Sequence, residues 1–388
     1  VEPAIVIGAG LAGLTVALAL LRSGRAVRVF EQAPVLGEVG AGITLSPGAG
    51  RGLSSLGVEP QLLAASTPIP DIAFIHYASG DLLTGRLQRG PPEDFGFATP
   101  RHIHRADLHA ILLAAVRAID PDAVAVDKRL VRLHADAEGV TADFADGSTF
   151  AAGMLIGADG TRSTVRRLMF DDTPPRFAGQ IAFRCLVPSD VAESCLSAGG
   201  AAVYVGPSRI FNRYLIRRGA LVNVIGIARC DLWRTEGWNT PAAAQEFLDV
   251  FADFHRDVRG LIALAPPESL IKWGLFIRPP LDAWSRGRVV LIGDAAHPVL
   301  PFLGLGAALA IEDGVVLARA LAEAEAPPQA FAAFQRARAH RVETVREASI
   351  RQGAILQTGE PARPALAASP SQDTALFDYD PCTVSLGV

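Results

Sequence analysis

Three short stretches join glycine to an acidic residue at the point where an apolar run stops. The first, "AIVIGAGLAG" (residues 4–13), leads into an amphipathic stretch and then a second apolar run that ends in Glu31. Each glycine of Gly8-x-Gly10-x-x-Gly13 has a mechanical reading. Gly8 permits a tight turn, Gly10 lets backbone approach a pyrophosphate, and Gly13 lets helix and strand pack closely. A helix starting there offers unpaired N–H groups and its positive end to phosphates. Glu31 stands where a ribose 2′-hydroxyl would donate to it, and an acid there disfavours a 2′-phosphate. This is a dinucleotide site, and the glycine spacing alone does not separate FAD from NAD.

The second stretch, "MLIGADGTRSTVRR" (154–167), repeats the form: an apolar strand, then Gly157, Asp159 and Gly160, then Ser163 opening a basic helix. In the third, "VVLIGDAAHPVLPFLGLGAALAIEDG" (289–314), an aliphatic run ends on Gly293-Asp294. A proline-bounded loop follows, and the next helix begins near Gly306 with almost no side chain. Something must fit between that acid and that helix. Arg105, in "RHIHRADLHAILLAAV" (101–116), stands at a helix start where a phosphate would be met. His102, His104 and His109 of the same stretch do not make a metal site. No carboxylate or cysteine completes a ligand set, and helical periodicity over 101–116 separates the three rings.

The composition bounds the rest. Of 388 residues, 50% are hydrophobic and 20% charged, as in a soluble protein of one large domain or two intertwined ones. A net charge of -4 without a Lys/Arg-rich run gives no reason to expect nucleic acid. Cys185, Cys195, Cys230 and Cys382 form no CxxC pair, which fits reduced thiols in a cytoplasmic protein. Residues 4–21 carry no charge, but Gly8, Gly10 and Gly13 cluster where a membrane helix would have to begin. No basic segment precedes them, so neither a membrane span nor a secretory signal is expected.

The periodicity predicts a helix from the glycine turn to Ser23 with Gly24 as its cap, a strand over 26–30, a helix from Pro47, a strand pair within 72–83, and a loop at Pro91-Pro92. Residues 101–116 read as helix, 124–133 and 140–144 as strands, and 145–148 as a turn. Between 177 and 272 the segments "AAVYVG", "RYLIRR" and "ALVNVIGIAR" alternate like an antiparallel sheet with one wet face, and 242–263 reads as helical. A βα pattern returns at Val289. The Pro/Ala-rich tail after Gly359 reads as weakly ordered or wrapped on the surface.

On Gly8-x-Gly10-x-x-Gly13 with Glu31, "GADGTRSTVR" (157–166) and "GDAAHP" (293–298), in that order and over roughly residues 4–345, the chain resembles the group A flavoprotein aromatic hydroxylases. They have the para-hydroxybenzoate hydroxylase fold, and the likeness is to the salicylate hydroxylase-like branch. The resemblance implies an α/β fold. A Rossmann-like FAD-binding domain of the glutathione reductase type (1–70, 98–176, 273–345) is interrupted by a mostly antiparallel β-sheet substrate domain (71–97, 177–272). A C-terminal helix and tail follow (346–388). It implies non-covalent FAD, NADH or NADPH as transient co-substrate, and O₂. An aromatic small molecule, phenolic or acid-like, would be hydroxylated through a flavin C4a-hydroperoxide by a monomer or homodimer.

The resemblance also implies site residues. Gly8, Gly10, Ala12 and Gly13, with Glu31 and Gln32, would hold the FAD pyrophosphate and ribose. Gly42, Ile43, Thr44 and Arg105 would lie along the cofactor, and backbone near Leu130 would meet the adenine. Asp159 would serve both FAD and the pyridine nucleotide, and Asp294 the ribityl hydroxyls. The N–H groups of Gly306, Ala307 and Ala308 would face the flavin N1–C2=O edge, where a helix N-terminus favours negative charge. Tyr214 and Pro301 are the catalytic candidates. Arg184, Ile210, Arg213, Tyr214 and Phe302 are the substrate candidates, the arginines because a planar fork suits a carboxylate. His297 reads as structural.

The chain departs from the branch pattern "GPxRHxxxYPxRxG" in "GPSRIFNRYLIRRG" (206–219). Ile210 stands for the histidine and Leu215 for the proline, and Leu305 replaces a common glutamine. Losing that histidine removes a candidate general base and points to a bulkier or more apolar aromatic. A halogenase would carry Trp-x-Trp-x-Ile-Pro, and none of Trp233, Trp238, Trp273 and Trp284 has that context. The alternatives are an FAD-dependent reductase or a non-catalytic binding protein on the same fold.

Overall fold

The computed structural model describes residues 3–37, 40–69, 72–85, 94, 96–233, 239–358, 363–377 and 379–387. Its first layer is a six-stranded sheet in the order β19 (Ser285–Arg286), β20 (Val289–Leu291), β12 (Met154–Gly157), β1 (Ala4–Ile7), β2 (Val27–Phe30) and β8 (Val124–Ala125). All but β19 run parallel. The unbroken aliphatic run of β1 suits its central place, since a parallel sheet covered on both faces leaves no wet side; all four of its residues are buried. Helix α1 (Leu11–Arg22) packs on α4 (Arg105–Ile119) and α9 (Gly306–Glu323), and α10 (Pro327–Leu356) packs on α9.

The second layer is an eight-stranded sheet in the order β17 (Thr240–Pro241), β18 (Ile271–Ile277), β13 (Arg176–Pro188), β16 (Leu221–Arg229), β15 (Arg209–Ile216), β14 (Ala201–Gly206), β5 (Ala73–His76) and β6 (Leu82–Thr84). Its neighbours are antiparallel except β14 and β5. Alternation along the strands gives it two faces. One carries Phe183, Phe211 and Val224 against Phe247 of α7 (Ala244–Val250), Phe251, and Val258 of α8 (Arg256–Ala263). The other carries Ile210, Ile227 and Leu275 against Leu356 and Leu366. The expected wet face is therefore absent, because helices cover one side and the other walls a cavity.

Two three-stranded sheets complete the fold: β11 (Thr149–Ala152), β10 (Val140–Phe144) and β9 (Leu130–Ala135), and then β3 (Gly42–Leu45), β7 (Arg101–His104) and β4 (Ser66–Pro68). The short helices are α2 (Pro47–Ser55), α3 (Glu59–Ala65), α5 (Thr164–Met169), α6 (Ser189–Ala192) and α11 (Arg363–Ala367). Ser46 caps α2 and Ser163 caps α5 through side-chain oxygens, as serine before a helix does.

Three expectations need correcting, and that for the tail is narrowed to its wrapped alternative. Residues 101–104 are strand, because β7 pairs with both β3 and β4, and the helix starts only at Arg105. Residues 242–263 form two helices, α7 and α8, and residues 124–133 hold two strands separated at 126–129. The tail is anchored: Leu366, Leu376 and Leu386 are buried, and Arg319 Nη1 donates to Pro381 O at 2.8 Å and Val384 O at 3.0 Å. Pro91-Pro92 and Trp238 lie outside the described residues. Among the described residues no helix is long and apolar enough to cross a membrane, and no group of His, Cys, Asp and Glu could hold a metal ion.

Candidate functional site

A cavity of about 1400 Å³ opens between the strand tips of the six-stranded sheet and the inner face of the eight-stranded one. At one end it meets the first glycine turn. Gly8 has φ 101, and a Cβ there would stand 2.6 Å from Ala158 O; a Cβ at Gly13 would strike the Gly8 carbonyl. Gly10 faces open space and lines the cavity with Leu11 and Ala12. It caps α1 without any side-chain bond, and the first turn holds no acid. The N-terminus of α9 is alike: no side chain caps it, and Gly306 and Ala307 line the cavity, while Ala308 is fully buried behind them.

Asp294, at the tip of β20, lines the cavity between these helix ends. Thr161 Oγ1 donates to it at 3.5 Å. Burial raises its pKa, opposed by the charges of His297 and Arg105. Arg105 lines the cavity too, with its N–H on Ala41 O at 2.7 Å. Burial lowers its pKa, and Asp294 pulls it back.

The other two acids are engaged elsewhere. Glu31 accepts from Ala9 N–H and from Ala33 N–H, each at 2.9 Å, so it braces the glycine turn. Asp159 accepts from Ser163 Oγ at 2.5 Å, Thr164 N–H at 2.7 Å and Val165 N–H at 3.1 Å. Its carboxylate holds the first two N–H groups of α5 beside the Ser163 cap, and the turn gives the cavity Ala158, Gly160 and Thr161 instead. Burial raises the Asp159 pKa against those bonds. Gln32 and Leu130 do not line the cavity; Leu130 opens β9 shortly after Lys128, whose N–H bonds Glu31 O at 2.8 Å.

The opposite end is lined by Gly42, Ile43 and Thr44 of β3, and by Arg184, Ile210, Asn212, Tyr214, Trp273, Leu300, Pro301 and Phe302. Gly42 N–H donates to Asn223 Oδ1 at 2.7 Å, and a Cβ on Gly42 would stand 2.5 Å from the Tyr214 ring. Tyr214 stacks on His102 with ring centroids 3.8 Å apart. Burial drives His102 down to about 3 and raises the Tyr214 phenol. Neither titrates near neutral pH. Arg184 lies over Trp273 at 5.4 Å, and burial lowers its pKa to about 10, so it stays charged at neutral pH.

Arg213 is corrected. On β15 the residues Ile210, Asn212 and Tyr214 face the cavity, so Phe211 and Arg213 face away. Arg213 is buried on the far side, bonded to Gly199 O and beside Tyr204 and Asp257, and holds nothing in this cavity.

Two features went unread in the sequence. One is a buried ionic cluster behind Asp294. Asp313 accepts from Gly293 N–H at 2.8 Å, lies 2.6 Å from His297 Nε2, and takes Arg338 Nε at 2.8 Å. Glu312 pairs with Arg338 and Arg341. The structural reading of His297 agrees with its place there. The other is the tail, whose Ser371, Gln372, Thr374 and Phe377 line the cavity. The acid and basic residues responsible are ordinary helix residues by type, and the tail has no periodicity, so no sequence signal marked either.

Two uncapped helix N-termini, glycines that admit no Cβ, an acid at a strand tip and an apolar far wall form a donor and acceptor set that suits a flavin dinucleotide. The chain belongs to the family described as FAD binding domain, which matches residues 2–349. It is similar to 3-amino-4-hydroxybenzoate 2-monooxygenase PtnB3 of Streptomyces platensis, 37% identical over 350 residues, covering 90% of this chain and 87% of the relative. It is similar as well to 6-hydroxynicotinate 3-monooxygenase of Bordetella bronchiseptica, 34% identical over 353 residues, covering 89% of each. Among solved structures it is similar to a salicylate hydroxylase substrate complex, with TM-score 0.82 and 26% identity over 98% of this chain and 96% of that one. It is an FAD-dependent monooxygenase of the aromatic hydroxylase class, with NAD(P)H as reductant.

Proposed function

We propose that this chain hydroxylates a phenolic or aromatic-acid-like compound whose body is more apolar than a simple hydroxybenzoate, with O₂ as the oxygen donor. The observation that carries this is one continuous cavity with uncapped helix ends and Asp294 at one end and an apolar wall at the other. A single ligand site usually measures about 300–1,000 Å³. A volume of about 1400 Å³ leaves room for a cofactor and a substrate together.

FAD, when bound, supplies reduction by NAD(P)H and the activation of O₂. The chain's residues do the rest. Gly10, Ala12 and Gly13 bring backbone N–H groups to the pyrophosphate, and Gly8, whose own N–H donates to Phe30 O at 2.8 Å, makes the turn that places them. Glu31 keeps lone pairs for a ribose hydroxyl while holding Ala9 and Ala33. Asp294 accepts from ribityl hydroxyls, and the start of α9 turns its N–H groups to the ring edge. Gly42, Ile43, Thr44 and Arg105 flank the cofactor, Ala308 backs the start of α9, and Gln32 and Leu130, which lie off the cavity, are left to its adenosine end; Asp159 supports it through α5.

On the substrate side Arg184 orients an acidic ring substituent. Tyr214 is a hydrogen-bonding group, because burial opposes loss of its proton. Ile210, Pro301 and Phe302 keep water from the reacting centre, which an oxygen transfer requires. In this reading the six-stranded sheet and the helices on it are the FAD unit, the eight-stranded sheet is the substrate unit, and residues after 345 close them. A cytoplasmic monomer or homodimer, with its four cysteines unpaired, accords with it.

The test is an aromatic library screened by NAD(P)H consumption on FAD-loaded protein, with peroxide assayed in parallel. The expected hit accelerates oxidation, suppresses peroxide and gives a product with one added oxygen. NAD(P)H oxidation that no aromatic alters would make the protein a reductase. A chain that takes up no FAD would make it a binding protein.

A further inference from the structure

Part of the cavity wall is built from residues beyond 349, where the family match ends. The last turns of α10 present Ser349, Gln352, Gly353 and Leu356 on one helix face, the i, i+3, i+4, i+7 spacing. Ser349 Oγ donates to Leu300 O at 2.6 Å. Gly353 makes room for Phe302, whose ring would stand 2.6 Å from a Cβ there. Leu356 packs with Ile210 and Leu275.

Ser349 is bonded to Leu300 O, and Gln352 is the other polar member of this face, 1% exposed. Burying an amide costs free energy unless it is bonded. Its Oε1 accepts Ser371 N–H at 3.1 Å, and its Nε2 donates to Ser371 Oγ at 3.2 Å. The tail is fixed on both sides of that clamp. Arg363 Nη2 donates to Leu82 O at 3.1 Å before it, and Arg341 Nη1 to Leu376 O at 2.6 Å after it. Gln352 and Ser371 line the same cavity as Phe302 and Ile210.

We propose, on the aromatic hydroxylase reading above, that Gln352 and Ser371 are specificity-determining residues that take a hydroxyl or amino substituent on the substrate ring. Ser371 Oγ also shares a hydrogen bond with Ser369 Oγ at 3.0 Å, so the second Nε2 hydrogen and the one remaining site on Ser371 Oγ are the polar capacity set among Leu300, Phe302 and Leu356.

The test titrates FAD-loaded protein with benzoate, 3-hydroxybenzoate, 6-hydroxynicotinate and 3-amino-4-hydroxybenzoate, reading binding from the flavin absorbance. Gln352→Leu and Ser371→Ala are expected to weaken the hydroxyl- and amino-bearing probes about tenfold, the worth of one hydrogen bond. Benzoate affinity and flavin content should hold, KM should move more than kcat, and Ser371→Thr should restore the preference. Ser371→Ala gives the same reading if Gln352→Leu does not fold. A parent that discriminates among the probes, with variants that discriminate identically, overturns this inference alone. A parent that binds neither these probes nor any bulkier phenol of the library overturns the aromatic reading beneath it.

Discussion

His297 Nε2 lies 2.6 Å from Asp313 Oδ2, the same oxygen that accepts the Gly293 N–H at 2.8 Å. One buried carboxylate therefore fixes both ends of the turn that carries Asp294. Burial opposes the Asp313 charge, but His297 and Arg338 outweigh it and hold its pKa below the ordinary value. Asp313→Ala would leave Arg338 buried beside Glu312 with half its compensation. The expected loss is about 3–5 kcal/mol, typical of a broken buried pair, read from urea unfolding. FAD affinity should fall with it, and a variant with unchanged unfolding would refute this role.

The first glycine turn makes a sharper prediction. Gly13→Ala forces a Cβ into the Gly8 carbonyl, so strand and helix must separate. Overpacking of this kind costs about 1–3 kcal/mol. The variant should purify with little flavin, measured as the ratio of visible to ultraviolet absorbance.

His102 links stability to pH. Its folded pKa is about 3, lowered by burial from 6.5. Between those values the unfolded chain binds a proton that the folded chain refuses. Stability is therefore whole above pH 6.5 and drains as pH falls toward 3, by up to about 1.4 kcal/mol per unit from this group. His104 and His109 are shifted the same way and add to the slope. The measurement is the difference from His102→Phe, which keeps a ring against Tyr214. Its melting temperature should depend less steeply on pH over that window; parallel curves would sink the assignment.

Neighbouring residues on β15 should behave as opposites. Ile210→His changes the aromatic profile and leaves folding nearly intact. Arg213→Met removes the donor to Gly199 O and a buried charge near Asp257 and costs about 1–3 kcal/mol with the relative preference among aromatics unchanged. Identical profiles for Ile210→His and the parent would remove Ile210 from the pocket.

What could be read from the chain was local. A strand, a glycine turn and a helix use residues close in sequence, so the turns at Gly8, Gly157 and Gly293 were legible, as was the alternation along residues 209–216. Alternation does not tell which face meets the cavity when both faces are buried, and so Arg213 was placed on the wrong side. "RHIH" looked like a helix start because nothing nearby reveals that strands from 42–45 and 66–68 will flank it. The tail was illegible because its anchors, such as Arg341 on Leu376 O and Arg319 on Pro381 O, are distant side chains reaching backbone carbonyls.

The strand order of the six-stranded sheet bears on how the protein is made. When β1 leaves the ribosome it can pair with β2, but its other neighbour, β12, is some 150 residues away, and β20 comes after both. Pairing across such separations is slow, because loop closure precedes any reward. The nascent chain thus carries β1 half-covered until β12, at Met154–Gly157, has emerged. Flavin capture must wait until α9 has emerged, which makes chaperone dependence and flavin supply late in synthesis the controls on yield.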